Sequence, residues 1–442
     1  MKITSDFEAA KLLLKRGQLE LEKATPEVSR RLKQIFGKKI DPVQAVAQII
    51  SEVRDKGDKA VKGFTQRIDG ITLESLEVKK GEFKGAYGKV DRELIEALNA
   101  AADQVRSFHQ LQLLHSFKDF MADGIGQLVR PLERVGIYVP GGTAYYPSTV
   151  LMTAIPARVA GVGEIIIATP PGKDGKVPAA TLVAADIAGA DRVFKVGGAQ
   201  AIAALAFGTR SIPRVDKICG PGGLFVTIAK RMVYGVVDID GLYGPTETVI
   251  LADDSASAEC CAADLLAQAE HDVLSAAILI TTSAELAAAV DKEVNRQLKG
   301  LERADIAQRS LQERGHIIIV DDMEQAIALV NLYAPEHLAL MVRNASSHID
   351  SIRNAGGIFI GESSPEVLGD YVAGPSHVMP TGGSARFSSP LGVNDFLKIT
   401  SVVALSDEDA RMLAPVAAAI ARVEGLTAHA RAAELRLKKR RE

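Results

Sequence analysis

The sequence predicts an α/β protein with two parallel-sheet units set between helical ends, and three observations carry that prediction. Short β-rich runs alternate with helical segments through the middle of the chain. The alternation then occurs again over a second stretch. Before and after both, apolar residues recur at helical spacing instead. With 442 residues, 47% hydrophobic and 24% charged, the chain has the composition of a globular protein with a large core. A prior of about 150 residues per domain gives two or three domains.

From Ser5 to about Phe117 the spacing is helical, as in Ala45, Ile49, Ile50, Val53 and again in Leu94, Ile95, Leu98, Ala101, Ala102, Val105. Asp41 and Pro42 supply an N-cap and a first-turn proline for one of these helices, and Gly57 fits its end. The runs RVGIYV, EIIIATPP, DRVFKV and VDKIC then read as strands, separated by ARVAGVG, AATLVAADIAGA and QAIAALAFG. Such alternation builds a parallel sheet covered by helices. Each strand ends in a Gly- or Pro-rich loop: Pro140-Gly141-Gly142, Pro170-Pro171-Gly172, Gly197-Gly198 and Gly220-Pro221-Gly222-Gly223. Ligands of open α/β sheets bind beyond the carboxyl ends of the strands, so these loops should line one crevice. The second stretch has strands TVILAD, AAILIT, HIIIV and GGIFIG around helices near 257–270, 284–299 and 322–333. After Pro390 the chain is expected to return to helix.

Lys+Arg 52 against Asp+Glu 55 leaves a net charge of -3, which offers no footprint for nucleic acid or an acidic membrane. A small-molecule partner is expected, and the basic run Lys438-Lys439-Arg440-Arg441 reads as a solvated tail. Cys219, Cys260 and Cys261 cannot form a disulfide framework and are expected as core fillers in a reducing compartment. Asp6 and Glu8 interrupt the opening MKITSDFEAAKLLLKR where a signal peptide would be apolar, and no apolar run approaches the roughly 18 residues of a membrane span. A cytoplasmic protein is expected.

No Walker A sequence is present, and no strand runs into a GxGxxG turn. The Gly-rich loops permit close approach to a phosphate, although tight turns would need the same glycines. Four of the eight histidines lie beside carboxylates or amides. Gln268 and His271, three apart on a helix, share a face and could reach one ion, but a solvated helix end explains the spacing equally well. Adding Asp370 and the distant His429 would complete a nitrogen and oxygen shell suited to zinc. Glu336-His337 follows Pro335 and precedes the apolar run LALMV, which makes His337 a candidate general base at the mouth of a strand and Glu336 a carboxylate able to activate water. An exposed loop pair is the alternative.

The strings AGPSHVMPTGGSARFSSPLGVNDFLK, DLLAQAEHD, YAPEHL, EGLTAHA, GIYVPGGTAYYPSTVLMTAIPARVAGV and GGAQAIAALAFGT together closely resemble histidinol dehydrogenases, from about residue 25 to about 432. The resemblance implies two incomplete Rossmann-like units: 36–137 with 247–391 as the first, and 138–246 as the second, NAD-binding unit. Helical tails at 1–35 and 392–442 would embrace the partner in a homodimer. It further implies one zinc ion per subunit, held by Gln268, His271 and Asp370 of one chain and His429 of the other, with Glu336 and His337 as the acid/base pair. Thr246, where the family usually has Ser, together with His377 and Glu424, would border the substrate alongside the zinc ligands and His337. Tyr138, Gln200 and Gly223 would contact NAD. The implied activity is oxidation of L-histidinol through L-histidinal to L-histidine with two NAD, the last steps of histidine biosynthesis. Gly223, where the family commonly has Asn, and Leu242-Tyr243 before Gly244-Pro245 depart from the pattern near the expected cofactor cleft. Two alternatives are a related dehydrogenase of another small alcohol, such as a sulfonated diol, and a non-catalytic α/β ligand-binding protein. Glu424 suits the ammonium of histidinol and would repel a sulfonate, which speaks against the first; the intact Glu336-His337 pair speaks against the second.

Overall fold

The computed structural model describes residues 1–16, 25–141 and 145–437, so Gly142 and the basic run at 438–441 lie outside the described residues. The chain forms two units: Met1–Leu114 with Leu132–Phe396, and His115–Pro131 with Leu397–Glu442.

The larger unit holds two parallel sheets. One has five strands in the order Arg192–Lys195, Glu164–Thr169, Arg134–Tyr138, Lys217–Cys219, Asp238–Ile239. The other has six, in the order Lys2–Thr4, Gly315–Ile319, Ala276–Thr281, Glu247–Ala252, His337–Met341, Gly357–Ile360. Counted along the chain, the five-stranded sheet runs 3-2-1-4-5. So does the six-stranded sheet once its N-terminal edge strand is set aside. This shared half of a doubly wound order bears out the two related α/β units, and each sheet has its topological switch point between its first and fourth strands. The expected boundary between 137 and 138 falls inside the strand Arg134–Tyr138, which pairs along its whole length with Glu164–Thr169 in the five-stranded sheet.

Both faces of the six-stranded sheet are covered, and alternation sorts its side chains. Ile250, Leu279 and Ala339 join one cluster with Leu265 and Val290 of the flanking helices, while Val249, Leu251, Ile278, Leu338 and Leu340 join another with Leu329 and Val330. The first hundred residues are mostly helix, as expected. Asp41 caps Pro42–Lys56 by accepting from the Gln44 N–H at 2.8 Å, and Gly57 closes it. The chain nevertheless opens on a strand, Lys2–Thr4, that completes the sheet edge beside Gly315–Ile319. Only then comes the helix Phe7–Leu14, so the N-terminal segment is not purely helical. Cys219 and Cys261 are buried as expected, but Cys260 is exposed.

The smaller unit contains an antiparallel sheet, Leu397–Val403, Ile125–Pro131, Phe120–Ala122, where helix was expected directly after Pro390. The β-branched Ile399, Thr400, Val402 and Val403 favour a strand whose partner is supplied from far back in the chain, beyond the reach of local periodicity. Helices Asp407–Val423 and Thr427–Glu434 follow.

The loops at the carboxyl edge of the five-stranded sheet do converge. A Cβ at Gly197 would lie 2.6 Å from Pro170 and one at Gly141 2.8 Å from the same ring, so three loops meet there. Gly220 has φ +107, and a Cβ on it would stand 2.1 Å from the Tyr138 carbonyl oxygen. This turn is held by a buried ion pair. Lys230 Nζ donates to the Gly220 carbonyl at 3.0 Å, Asp240 accepts the Gly220 N–H at 2.6 Å, and the two side chains pair with each other at 2% and 0% exposure. Breaking such a pair strands a charge in the core. Lys230→Met is expected to cost about 3–5 kcal/mol in urea unfolding, with part recovered when Asp240→Asn is added. Equal losses in the single and double variants would show that the stranded carboxylate is not the cause.

Candidate active site

Glu336 and His337 sit where the strand His337–Met341 begins, next to the start of Glu247–Ala252 at the switch point of the six-stranded sheet. The left-handed Ala334, φ 52, ends the preceding helix Met323–Tyr333 and Pro335 turns the chain into the strand. The register pairs His337 with Thr248, which sets Glu336 beside Glu247. The main chain of Glu247 then serves both residues. Its N–H donates to Glu336 Oε2 at 3.0 Å, and its carbonyl faces His337 Nδ1 at 3.3 Å. The Thr246 hydroxyl donates to the same Glu336 oxygen at 2.5 Å. With a carbonyl opposite, Nδ1 carries the imidazole proton, and Nε2 keeps a lone pair, buried and without a partner.

Burial governs the electrostatics. It holds the Glu336 carboxyl well above the usual carboxylate range despite two hydrogen bonds that favour its charged form, and it lowers the basicity of His337. Glu366 and Asp370 approach the ring from the helix Glu366–Tyr371, one turn apart. Glu366 Oε1 lies 3.3 Å from Nδ1 and Asp370 Oδ1 3.7 Å from Nε2. Burial pushes Glu366 up to about 8 and Asp370 up to about 6. The Thr248 hydroxyl donates to Glu366.

His377 is fully engaged: Nδ1 donates to the Asp370 carbonyl at 2.8 Å and Nε2 faces the Thr149 hydroxyl at 3.2 Å. Burial brings its pKa down to about 4, so it stays neutral and ties the Asp370 turn to the helix Pro147–Ala160.

Gln268 lies in the last turn of Ala258–Ala269, whereas His271 is beyond the end of that helix, so the pair does not share a helical face as the spacing suggested. The turn continues through Glu270, and the His271 N–H reaches back to the Gln268 carbonyl at 3.4 Å. Both amide atoms of Gln268 are buried without a partner. His271 and Asp370 line one cavity of about 750 Å³, together with Asp264, Arg303, Glu366 and Tyr371. Among the described residues no three His, Cys, Asp or Glu side chains gather as a metal group. His271 and Asp370 are two donors of those types, the orphaned Gln268 amide is a third of another type, and a tetrahedral ion would need one more. Glu424 caps the end of Asp407–Val423 and His429 stands on Thr427–Glu434, both exposed in the smaller unit.

At the carboxyl edge of the five-stranded sheet, Tyr138 Oη accepts the Gly198 N–H at 3.1 Å, and burial pushes its phenol up to about 12. Gln200 follows on the helix Gly198–Phe207 with both amide atoms buried and unpartnered. Gly223 begins the helix Leu224–Val233, and a Cβ there would meet nothing within 4 Å, so the space of a side chain stands open.

Glu366 also belongs to the site, and its position four residues before Asp370 is a legible spacing. Glu247 acts through its main chain, which no side-chain pattern reveals, and Thr149 is placed only by tertiary structure.

The histidinol dehydrogenase family model matches residues 34–437. The chain is 52% identical over 441 residues to a histidinol dehydrogenase of Dehalococcoides mccartyi, covering 99% of this chain and 100% of the other. It is 53% identical over 414 residues to one from Deinococcus radiodurans, covering 93% and 94%. The crystal structure of histidinol dehydrogenase from Elizabethkingia anophelis superposes with a TM-score of 0.88 at 35% identity, over 98% of this chain and 97% of that one.

The raised carboxyl of Glu366 makes stability depend on pH. Its pKa rises from an ordinary 4.5 to about 8, so the folded state binds its proton more tightly. That contribution is complete below pH 4.5 and is lost as pH climbs through 8, by at most about 1.4 kcal/mol per pH unit. With metal chelated, urea midpoints from pH 5 to 8 should fall more steeply for the wild type than for Glu366→Gln. Parallel declines would show that Glu366 titrates normally.

Proposed function

The chain belongs to the histidinol dehydrogenase family, NAD-dependent oxidoreductases of histidine biosynthesis, and from that premise we propose that Glu336 and His337 carry the proton transfers of L-histidinol oxidation. The observation that carries this reading is the unpartnered Nε2 of His337, aimed by the Glu247 carbonyl and set beside a cavity lined by His271 and Asp370. Family membership decides against a non-catalytic binding protein.

His337 Nε2 takes the hydroxyl proton of the alcohol as hydride departs from the carbinol carbon. Its neutral tautomer, locked through Nδ1, is the form that can accept. Glu336 takes a proton from the water that adds to L-histidinal, a role suited to a carboxyl whose proton affinity is raised by burial. His337 Nε2 returns its first proton to the aldehyde oxygen as the hydrate forms, then takes a hydroxyl proton from the hydrate as the second hydride departs, and the product leaves as L-histidine. NAD supplies the hydride acceptor for both oxidations. Tyr138, the orphaned Gln200 amide and the backbone around Gly223 are the groups that would receive it. The amino ends of the helices Gly198–Phe207 and Leu224–Val233 suit its phosphates.

Zinc would supply a Lewis-acidic anchor that orients the substrate's imidazole and amine. Gln268, His271 and Asp370 would hold it, with His429 of the partner subunit as the remaining ligand, while Thr246, His377 and Glu424 border the substrate. The orphaned Gln268 amide supports this donor set. A homodimer supplies the missing ligand, and the helix Asp407–Val423 supports one by exposing Met412, Val416, Ile420 and Val423 along one stripe.

Chelation should abolish NAD reduction by L-histidinol, and added zinc should restore it; turnover by fully metal-free protein would rule the ion out. His429→Ala and His337→Ala proteins should each be nearly inactive, yet regain up to half of the wild-type activity per heterodimer when refolded together, because one site collects both lesions and the other neither. Heterodimers without activity would mean that each chain supplies its own His429.

A further inference from the structure

The start of the chain reaches the proposed acid/base pair from outside the segment that the family model covers. Lys2–Thr4 pairs at the edge of the six-stranded sheet, and Phe7–Leu14 packs Ala10 and Leu14 into the cluster of Leu329, Val330 and Tyr333. Two residues after that helix, the Arg16 guanidinium engages Glu247 as a fork. Nη1 donates to Oε1 at 2.5 Å and Nη2 pairs with Oε2. Nε donates to the Tyr333 carbonyl at 2.9 Å, and the guanidinium lies 3.5 Å from the centre of the Tyr333 ring. The Glu247 side chain is 7% exposed, and its Oε1 also accepts the Gly382 N–H at 3.2 Å.

Glu247 is thereby fixed at every polar atom of its side chain, and its main chain holds Glu336 by the N–H and His337 by the carbonyl. We infer that Arg16 is a positioning residue for catalysis: by clamping the Glu247 carboxylate it fixes the peptide groups that orient both Glu336 and His337. The inference rests on the proposed roles of that pair. Without the guanidinium, Glu247 would be a buried carboxylate with no cation beside it, and it would relax toward water by moving its backbone. A shift of a few tenths of an ångström there misaligns two groups at once. Because neither Arg16 nor the Glu247 side chain needs to touch substrate, the effect should appear in kcat and not in binding.

Histidinol-dependent NAD reduction by Arg16→Lys, Arg16→Met, Glu247→Gln and the Arg16→Met/Glu247→Gln double variant tests this, with thermal melting as a folding control. Arg16→Met should lose at least tenfold in kcat while KM for histidinol and NAD changes less than twofold. Arg16→Lys keeps the charge without the fork and should fall between wild type and Arg16→Met at unchanged melting temperature. The double variant leaves no lone buried charge, and because each single already breaks the clamp, it should be no slower than the slower single by more than about twofold. Wild-type kcat in Arg16→Lys and Arg16→Met, or single losses that multiply in the double variant, would overturn the inference. If Arg16→Met does not fold, wild-type kcat in Arg16→Lys alone overturns it. Glu336→Gln separates the two layers: a wild-type rate there removes the acid/base reading and the inference with it, whereas a collapse beside fully active Arg16 variants removes the inference alone.

Discussion

The carboxylates of Glu336, Glu366 and Asp370 lie within 3.7 Å of the His337 imidazole, with Glu247 on the neighbouring strand, where water is largely withdrawn, and the cost of charge there shapes everything nearby. Each carboxylate meets that cost differently. Glu247 has a guanidinium, Glu336 has a hydroxyl and an N–H, Glu366 has a hydroxyl, and Asp370 has the His337 ring and the side of a cavity. Only the first has full compensation by an opposite charge. Burial therefore raises the proton affinity of Glu336, Glu366 and Asp370, whereas Glu247 is anchored by its guanidinium.

The two sheets repeat one strand order but use opposite ends of it. In the five-stranded sheet the loops proposed to receive NAD follow the strands, at the carboxyl edge where open α/β sheets commonly bind ligands. In the six-stranded sheet Thr246 and Glu336 precede their strands and Glu247 and His337 open them, so the proposed acid/base pair stands at the amino edge. Register explains why that edge can serve. Adjacent parallel strands bring Glu336 beside Glu247, and a one-residue slip would exchange the faces of Glu336 and His337 and undo both hydrogen bonds.

Much of this was legible in the sequence. The strand runs, their helices and the Gly-rich loops followed from periodicity and turn chemistry, because both sheets are buried on both faces and their strands are correspondingly apolar. Asp41 and Gly57 bounded a helix as capping rules require. The antiparallel strand Leu397–Val403 and the edge strand Lys2–Thr4 were not legible, since each is defined by a partner distant in the chain and has little apolar pattern of its own. His271 shows the opposite failure. A spacing of three suggested a shared helical face, but the helix stopped at Ala269 and only the continuing turn decides where the imidazole goes.

By itself the sequence determined the fold class, the two related units and the residue types able to do acid/base and metal chemistry, because these depend on local pattern and composition. Its family strings also carried the positions of Glu336, His337, Gln268 and His271, and the resemblance they establish implied Asp370. Tertiary structure alone decided which atom of His337 is free, that the peptide of Glu247 holds both members of the pair, and that Arg16 reaches that residue from the far end of the chain. The physical reason is that a main-chain hydrogen bond carries no side-chain signature, and a buried charge finds its counter-ion by proximity in space, to which separation along the chain is no guide.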